Sequence, residues 1–244
     1  MHYLGHTRTT VRPNYTLHAP DSFVRAPLPG MMKATAVVHA APALGAQFTM
    51  YTAELEASGQ LGHAATQRFV YVLEGELTLD AKGKSTRIAK GGYAYVPADL
   101  PHRFDARSRC RAAVIEKPYQ GLDETMPPGL LIGKERSAPT QPLSGDKDVV
   151  VRSLIPGQIS FDLAVNTMTY APGATLPMVE CHVMEHGLLM LDGAGIYRLG
   201  DDWHPVAAGD FIWMGPYCPQ WFGALGKTPA RYLIYKDWNR HPQS

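Results

Sequence analysis

Glu180, His182 and His186 bring one carboxylate and two imidazoles together within seven residues. On a strand, residues two apart project from the same face, so Glu180 and His182 are expected to share one, with His186 keeping that parity. Oxygen and nitrogen donors without thiolate suit a first-row divalent cation, manganese above all, with iron, nickel or zinc able to substitute. The run His182-Val183-Met184-Glu185-His186 also spells His-x-x-Glu-His, a zinc-peptidase pattern that needs a helix. Pro177 before it, Gly187 after it and strand-like flanks leave no room for that helix. Cys181 alternates away from its neighbours, and Cys181 and Cys218 are both expected to be buried, inert thiols.

The elements that must hold these residues are short strands. Phe69–Leu73, Leu77–Leu79, Tyr93–Val96 and Ala112–Ile115 carry strand composition between Gly- and Asp-containing turns. So do Phe161–Tyr170, Gly187–Leu191, Ile196–Leu199, Phe211–Met214 and Tyr232–Tyr235. Hardly any stretch has helical period, which predicts an all-β antiparallel sandwich or barrel. Residues 1–45 are expected to form an extended arm punctuated by Pro20, Pro27, Pro29 and Pro42, and residues 118–157 a Pro/Gly-rich connector with one strand at Val149–Val151.

The chain repeats itself. Gly75 and Gly193, Gly91 and Gly209, and His102 and Gln220 are each 118 residues apart. A fixed offset through three turns marks two copies of one unit, expected at residues 46–117 and 158–244. The same offset sets Glu180, His182, His186 and Gln220 against Gly62, Ala64, Arg68 and His102. Only the second copy keeps a donor set, so one metal per chain is expected, and Gln220 stands out as a fourth ligand. Inward positions on barrel strands alternate, which brings Tyr197, Tyr232 and Lys236 towards the same cavity. A divalent ion with one carboxylate ligand plus Lys236 is net positive and draws a small anionic substrate.

The 244 residues are 45% hydrophobic with a net charge of +1, a globular composition without the basic character that nucleic acid or a membrane surface would attract. Three widely spaced cysteines make no disulfide framework. No apolar run approaches a membrane span and the N-terminus lacks a signal-peptide pattern, so a cytoplasmic protein is expected.

The spacing from Glu180 to Gln220 resembles the two-part cupin signature, with Gln220 in the place of its last histidine. The whole, a tandem cupin of two antiparallel β-barrels, resembles the (S)-ureidoglycine aminohydrolase family. The residues that carry this are Glu180 to Gly187, Gly193-Ala194-Gly195-Ile196-Tyr197, Gly209-Asp210, Gln220 and Tyr235-Lys236-Asp237-Trp238-Asn239-Arg240, with Ala19 to Val24 and Leu28-Pro29-Gly30 upstream. The resemblance implies manganese on Glu180, His182, His186 and Gln220, and substrate contacts from Glu180, Tyr197, Gln220, Tyr232 and Lys236. It implies hydrolysis of ureidoglycine to ureidoglycolate and ammonia in purine catabolism, proton transfer by Glu180 with Tyr232 and Lys236 holding the substrate, and a homo-oligomer.

Two other readings use the same residues. Glu180, His182 and His186 could form the facial triad of a non-haem iron dioxygenase, but Gln220 would take a position that oxygen and substrate need. A non-enzymatic bicupin would bind a small molecule without releasing ammonia.

Overall fold

The computed structural model describes residues 5–237, so Trp238, Asn239 and Arg240 of the sequence motif lie outside the described residues. Contacts divide the chain into two compact units. One holds residues 24–138 and 154–164; the other holds the chain through Phe23, residues 139–153 and residues 165–237.

In the first unit one curled antiparallel sheet runs in the order Leu131–Lys134, Gly92–Val96, Gln67–Glu74, Cys110–Lys117, Thr49–Leu61, His102–Ala106, Glu76–Ala81, Lys84–Ala89, with Met31–Ala40 also paired to Thr49–Leu61. Strand alternation sends Val70, Val72, Leu77, Leu79, Phe104, Ala112 and Val114 into one core. Residues 154–164 return to this unit through Asp162. Its buried carboxylate receives Lys117 Nζ at 2.6 Å, Gln67 Nε2 at 2.7 Å and the Gln120 amide at 2.8 Å. Paired and hydrogen-bonded on every side, that charge avoids the cost of an isolated buried ion.

In the second unit an eight-stranded sheet runs Thr10–Arg12, Tyr15–His18, Phe211–Met214, His186–Asp192, Ala230–Lys236, Ala164–Tyr170, Asp146–Ser153, Thr140–Leu143. A three-stranded sheet orders Asp202–Ala207, Ala194–Leu199 and Gln220–Leu225. The inner faces of both sheets meet in one core containing Leu188, Met190, Tyr197, Phe222 and Tyr232.

The expected arm and connector come out differently. Tyr15–His18 pairs with Phe211–Met214, from Phe211↔His18 to Met214↔Tyr15, so the N-terminal segment belongs to the second unit. Met31–Ala40 is a strand of the first unit, and residues 118–157 carry Leu131–Lys134, Thr140–Leu143 and Asp146–Ser153. Prolines between these segments punctuate strands without excluding them, because edge positions tolerate a missing amide donor. Edge pairing also covers backbone groups that an open sheet would leave exposed.

The repeat has a steric basis at its first glycine. Gly75 and Gly193 both adopt a left-handed φ, +77° and +73°. A Cβ at Gly75 would lie 2.6 Å from Arg109 O, and one at Gly193 would lie 2.5 Å from Pro229 O. Only glycine meets both the conformation and the contact.

Candidate metal centre

The four candidate ligands arrive from three places. His186 opens the strand His186–Asp192 and Gln220 opens Gln220–Leu225. Glu180 and His182 lie on irregular chain, not on the strand that sequence alternation predicted; Pro177 interrupts pairing there. Hydrogen bonds fix this loop instead. Glu180 and Gln220 exchange both backbone bonds, at 2.8 and 2.9 Å, and Tyr217 N donates to His182 O at 2.8 Å. As a surface loop it leaves Cys181 exposed rather than buried, with Sγ 3.3 Å from Tyr217 O, whereas Cys218 is buried as expected.

The side chains converge on His182. Its Nε2 lies 3.3 Å from His186 Nε2, 3.0 Å from Gln220 Nε2 and 3.8 Å from Glu180 Oε2. His186 and Gln220 are buried, at 2% and 3% exposure, while Glu180 and His182 stand towards solvent. Among the described residues, no three His, Cys, Asp or Glu side chains close up as a metal-binding group on their own. The tight part of the cluster is two imidazoles and an amide, with the Glu180 carboxylate set back on one flank.

This donor set fits a divalent cation. His186 Nδ1–H donates to Tyr235 O at 3.2 Å, which leaves the Nε2 lone pair facing the cluster. Adjacent ligands bonded to one ion at about 2.1 Å lie about 3 Å apart, the separation of these nitrogens. The Gln220 amide donates to His182 Nε2 as placed and, turned over, presents Oε1 as a ligand. His182 Nδ1 is buried with no hydrogen-bond partner among the described residues, so no neighbour fixes that ring through its second nitrogen. Burial, then the Lys236 ammonium, then His182 hold the His186 pKa well below the ordinary imidazole value. A neutral imidazole is the form that binds metal.

Lys236 pairs across the sheet with His186. Burial lowers the Lys236 pKa, and the Glu180 carboxylate opposes that shift. The Glu180 charge also raises the pKa values of Tyr170, Tyr197 and Tyr232, after the larger effect of burial. All four groups therefore feel one carboxylate across a poorly solvated interior. Tyr197 and Tyr232 are each 1% exposed. Tyr232 Oη lies 2.7 Å from Tyr170 Oη and 3.4 Å from Met168 Sδ. Tyr170 and Met168 were not among the residues expected at the site. Their shared parity on Ala164–Tyr170, the strand beside Ala230–Lys236, is the signal that could have found them.

The corresponding place in the first unit holds no such set. Arg68 donates through Nε and Nη2 to Glu116 Oε1 at 2.8 and 2.7 Å and through Nη1 to Gly62 O at 2.6 Å. His63 packs against the His102 ring, so this place offers at most two imidazoles, beside the Arg68 cation.

The cupin domain family profile matches residues 49–116 and again 166–235, one match in each unit. The chain is 38% identical over 241 residues to (S)-ureidoglycine aminohydrolase of Arabidopsis thaliana, covering 98% of this chain and 80% of that protein. It is 33% identical to (S)-ureidoglycine aminohydrolase of Escherichia coli K12, covering 93% and 89% of the two chains. The crystal structure of the putative glyoxylate-induced protein from Pseudomonas aeruginosa superposes with a TM-score of 0.87 at 30% identity, covering all of this chain and 95% of that one. With both cupin repeats present and matched nearly end to end, the chain belongs to the (S)-ureidoglycine aminohydrolase family of tandem cupin proteins.

Proposed function

We propose that this protein hydrolyses (S)-ureidoglycine to (S)-ureidoglycolate and ammonia in purine degradation, with one manganese ion held by Glu180, His182, His186 and Gln220. The observation that carries this reading is the approach of His186 and Gln220 to within 3.3 Å of His182, with the half-buried Lys236 paired across the sheet from His186, in a chain of this family. Bound there, the cation would polarise the substrate and compensate its negative charge.

The protein's own groups do the rest. Lys236 supplies a positive charge from a half-buried position and holds the substrate carboxylate or ureido oxygen. Tyr232 donates a hydrogen bond to the same anionic end, and Tyr197 contributes a second phenol to the cavity wall. These contacts orient the central carbon, whose C–N bond breaks as a C–O bond to water forms. Glu180, on the open flank, takes a proton from the entering water and returns one to the departing amine. The expected setting is a cytoplasmic homo-oligomer that binds neither nucleic acid nor membrane. No helix among the described residues is long and apolar enough to cross a membrane.

The test is to mix the manganese-loaded protein with freshly generated ureidoglycine, with and without oxygen, and follow ammonia. Equal release in both supports the hydrolase. Turnover only with oxygen supports the dioxygenase, and binding without ammonia release supports a non-enzymatic binder.

A further inference from the structure

Tyr170 is fully buried, and its hydroxyl lies 2.7 Å from the equally buried hydroxyl of Tyr232. The Tyr232 oxygen has a second neighbour, Met168 Sδ, at 3.4 Å. A phenol carries one hydrogen, and a thioether sulfur accepts but never donates. Both contacts at the Tyr232 oxygen are hydrogen bonds only when Tyr170 donates to Tyr232 and Tyr232 donates to sulfur. Ring packing holds the pair in place. Phe222 sets its edge against Tyr170 at 4.9 Å and against Tyr232 at 5.7 Å.

We propose that Tyr170 is a positioning residue that fixes Tyr232 as a hydrogen-bond donor to an anionic oxygen of the substrate, with Met168 Sδ holding that proton until substrate arrives. The inference rests on the reading of Tyr232 as a substrate contact given above. Sulfur is a weak acceptor, so a carboxylate or ureido oxygen displaces it readily, while the stronger bond from Tyr170 stays in place. An N–H group of the substrate is the poorer match there, because it must share an oxygen that already receives the Tyr170 hydrogen and leaves the Tyr232 O–H on sulfur. The chain Tyr170–Tyr232–Met168 thus selects which end of an amino- and carboxylate-bearing substrate faces it.

Tyr170→Phe keeps the ring and removes the donor. Its KM for ureidoglycine is expected to rise about 10-fold with kcat within about threefold, since the loss is one binding hydrogen bond. In the double variant Tyr170→Phe/Tyr232→Phe the loss should equal that of Tyr232→Phe alone, because Tyr170 acts only through its partner. Met168→Leu keeps the volume and strips the sulfur, and its KM should stay the same or fall. Losses that multiply in the double variant, or a Met168→Leu KM raised as far as that of Tyr170→Phe, would overturn the proposal. An infrared readout needs no turnover. The phenol C–O stretch of Tyr232, isolated as a difference against Tyr232→Phe, should shift when Tyr170→Phe is introduced, and an unmoved band defeats the proposal. Wild-type protein that releases no ammonia would refute the hydrolase reading, while the infrared comparison would still decide the role of Tyr170.

Discussion

Arg68 Nη1 lies 3.0 Å from His102 Nε2 in the first unit, and by the 118-residue repeat these two residues answer to His186 and Gln220 in the second. The strand pairing carries the comparison one residue further. Arg68 faces Glu116 across its sheet, and His186 faces Lys236 across the other. Cross-strand pairing thus sets a guanidinium against a carboxylate in the first unit and a neutral imidazole against a lysine in the second. A permanently protonated Arg68 supplies an internal cation and leaves no place for a metal.

The first unit should therefore depend on Arg68 for stability and contribute nothing to metal binding. Arg68→Met strips the bonds to Glu116, Gly62 O and His102 from a side chain only 6% exposed. The expected cost is about 2–4 kcal/mol in a urea melt, with the metal content of the protein unchanged. A variant that unfolds like wild type but loses metal would reverse that assignment.

His102 gives the same unit a pH dependence. Its Nδ1–H donates to Leu100 O at 2.7 Å and its Nε2 accepts from Arg68, so the neutral ring is the bonded form. Burial first, with Arg68 and His63 adding to it and Glu116 and Leu100 O opposing, pushes its pKa down to about 4. Below pH ~6.5 the unfolded chain takes up a proton that the folded chain refuses, so stability is full above that pH and falls until about pH 4. The contribution is on the order of 2–3 kcal/mol across that window. His102→Gln, which can still accept from Arg68, should flatten the pH dependence of the unfolding free energy between pH 7 and 4. An unchanged slope would mean that His102 titrates normally.

The repeat was legible because it rests on backbone demands, such as the left-handed turns at Gly75 and Gly193, that only one residue type meets. The convergence of Glu180, His182, His186 and Gln220 was legible for a related reason, since residue types at fixed spacing survive an error in the local structure. Glu180 and His182 converge although their segment is a loop and not a strand. What stayed hidden depended on partners distant in the chain. Tyr15–His18 has no pattern of its own that says it will pair with Phe211–Met214. Nor does Tyr170 show its function until Tyr232, 62 residues on, is placed beside it.

The second unit should bind one metal per chain. His186→Ala removes a nearly buried donor and should abolish tight binding, and Gln220→Ala should weaken it. Metal at 100 times its dissociation constant stabilises the fold that binds it by about 2.7 kcal/mol. A chelator should accordingly lower the wild-type melting temperature and leave that of His186→Ala where it was. Two equivalents per chain, retained in His186→Ala, would defeat the assignment.

Lys236 separates an anchoring role from a ligand role. A protonated amine is no metal ligand, yet this ammonium acts on His186 and feels Glu180 from a half-buried position at the end of its strand. A solvated lysine at a strand end could be replaced with an effect inside about 0.5 kcal/mol. As the charged partner of the substrate anion, its loss in Lys236→Met should cost about 2–4 kcal/mol of transition-state binding, roughly 30- to 1,000-fold in kcat/KM. Manganese content should not change, and the melting temperature should hold or rise, since a half-buried charge is replaced by an apolar chain of similar length. Gln220→Ala is the matched control, expected to lose metal and activity together. If Lys236→Met releases ammonia from ureidoglycine at the wild-type rate, the substrate is held elsewhere, whatever the fate of the metal.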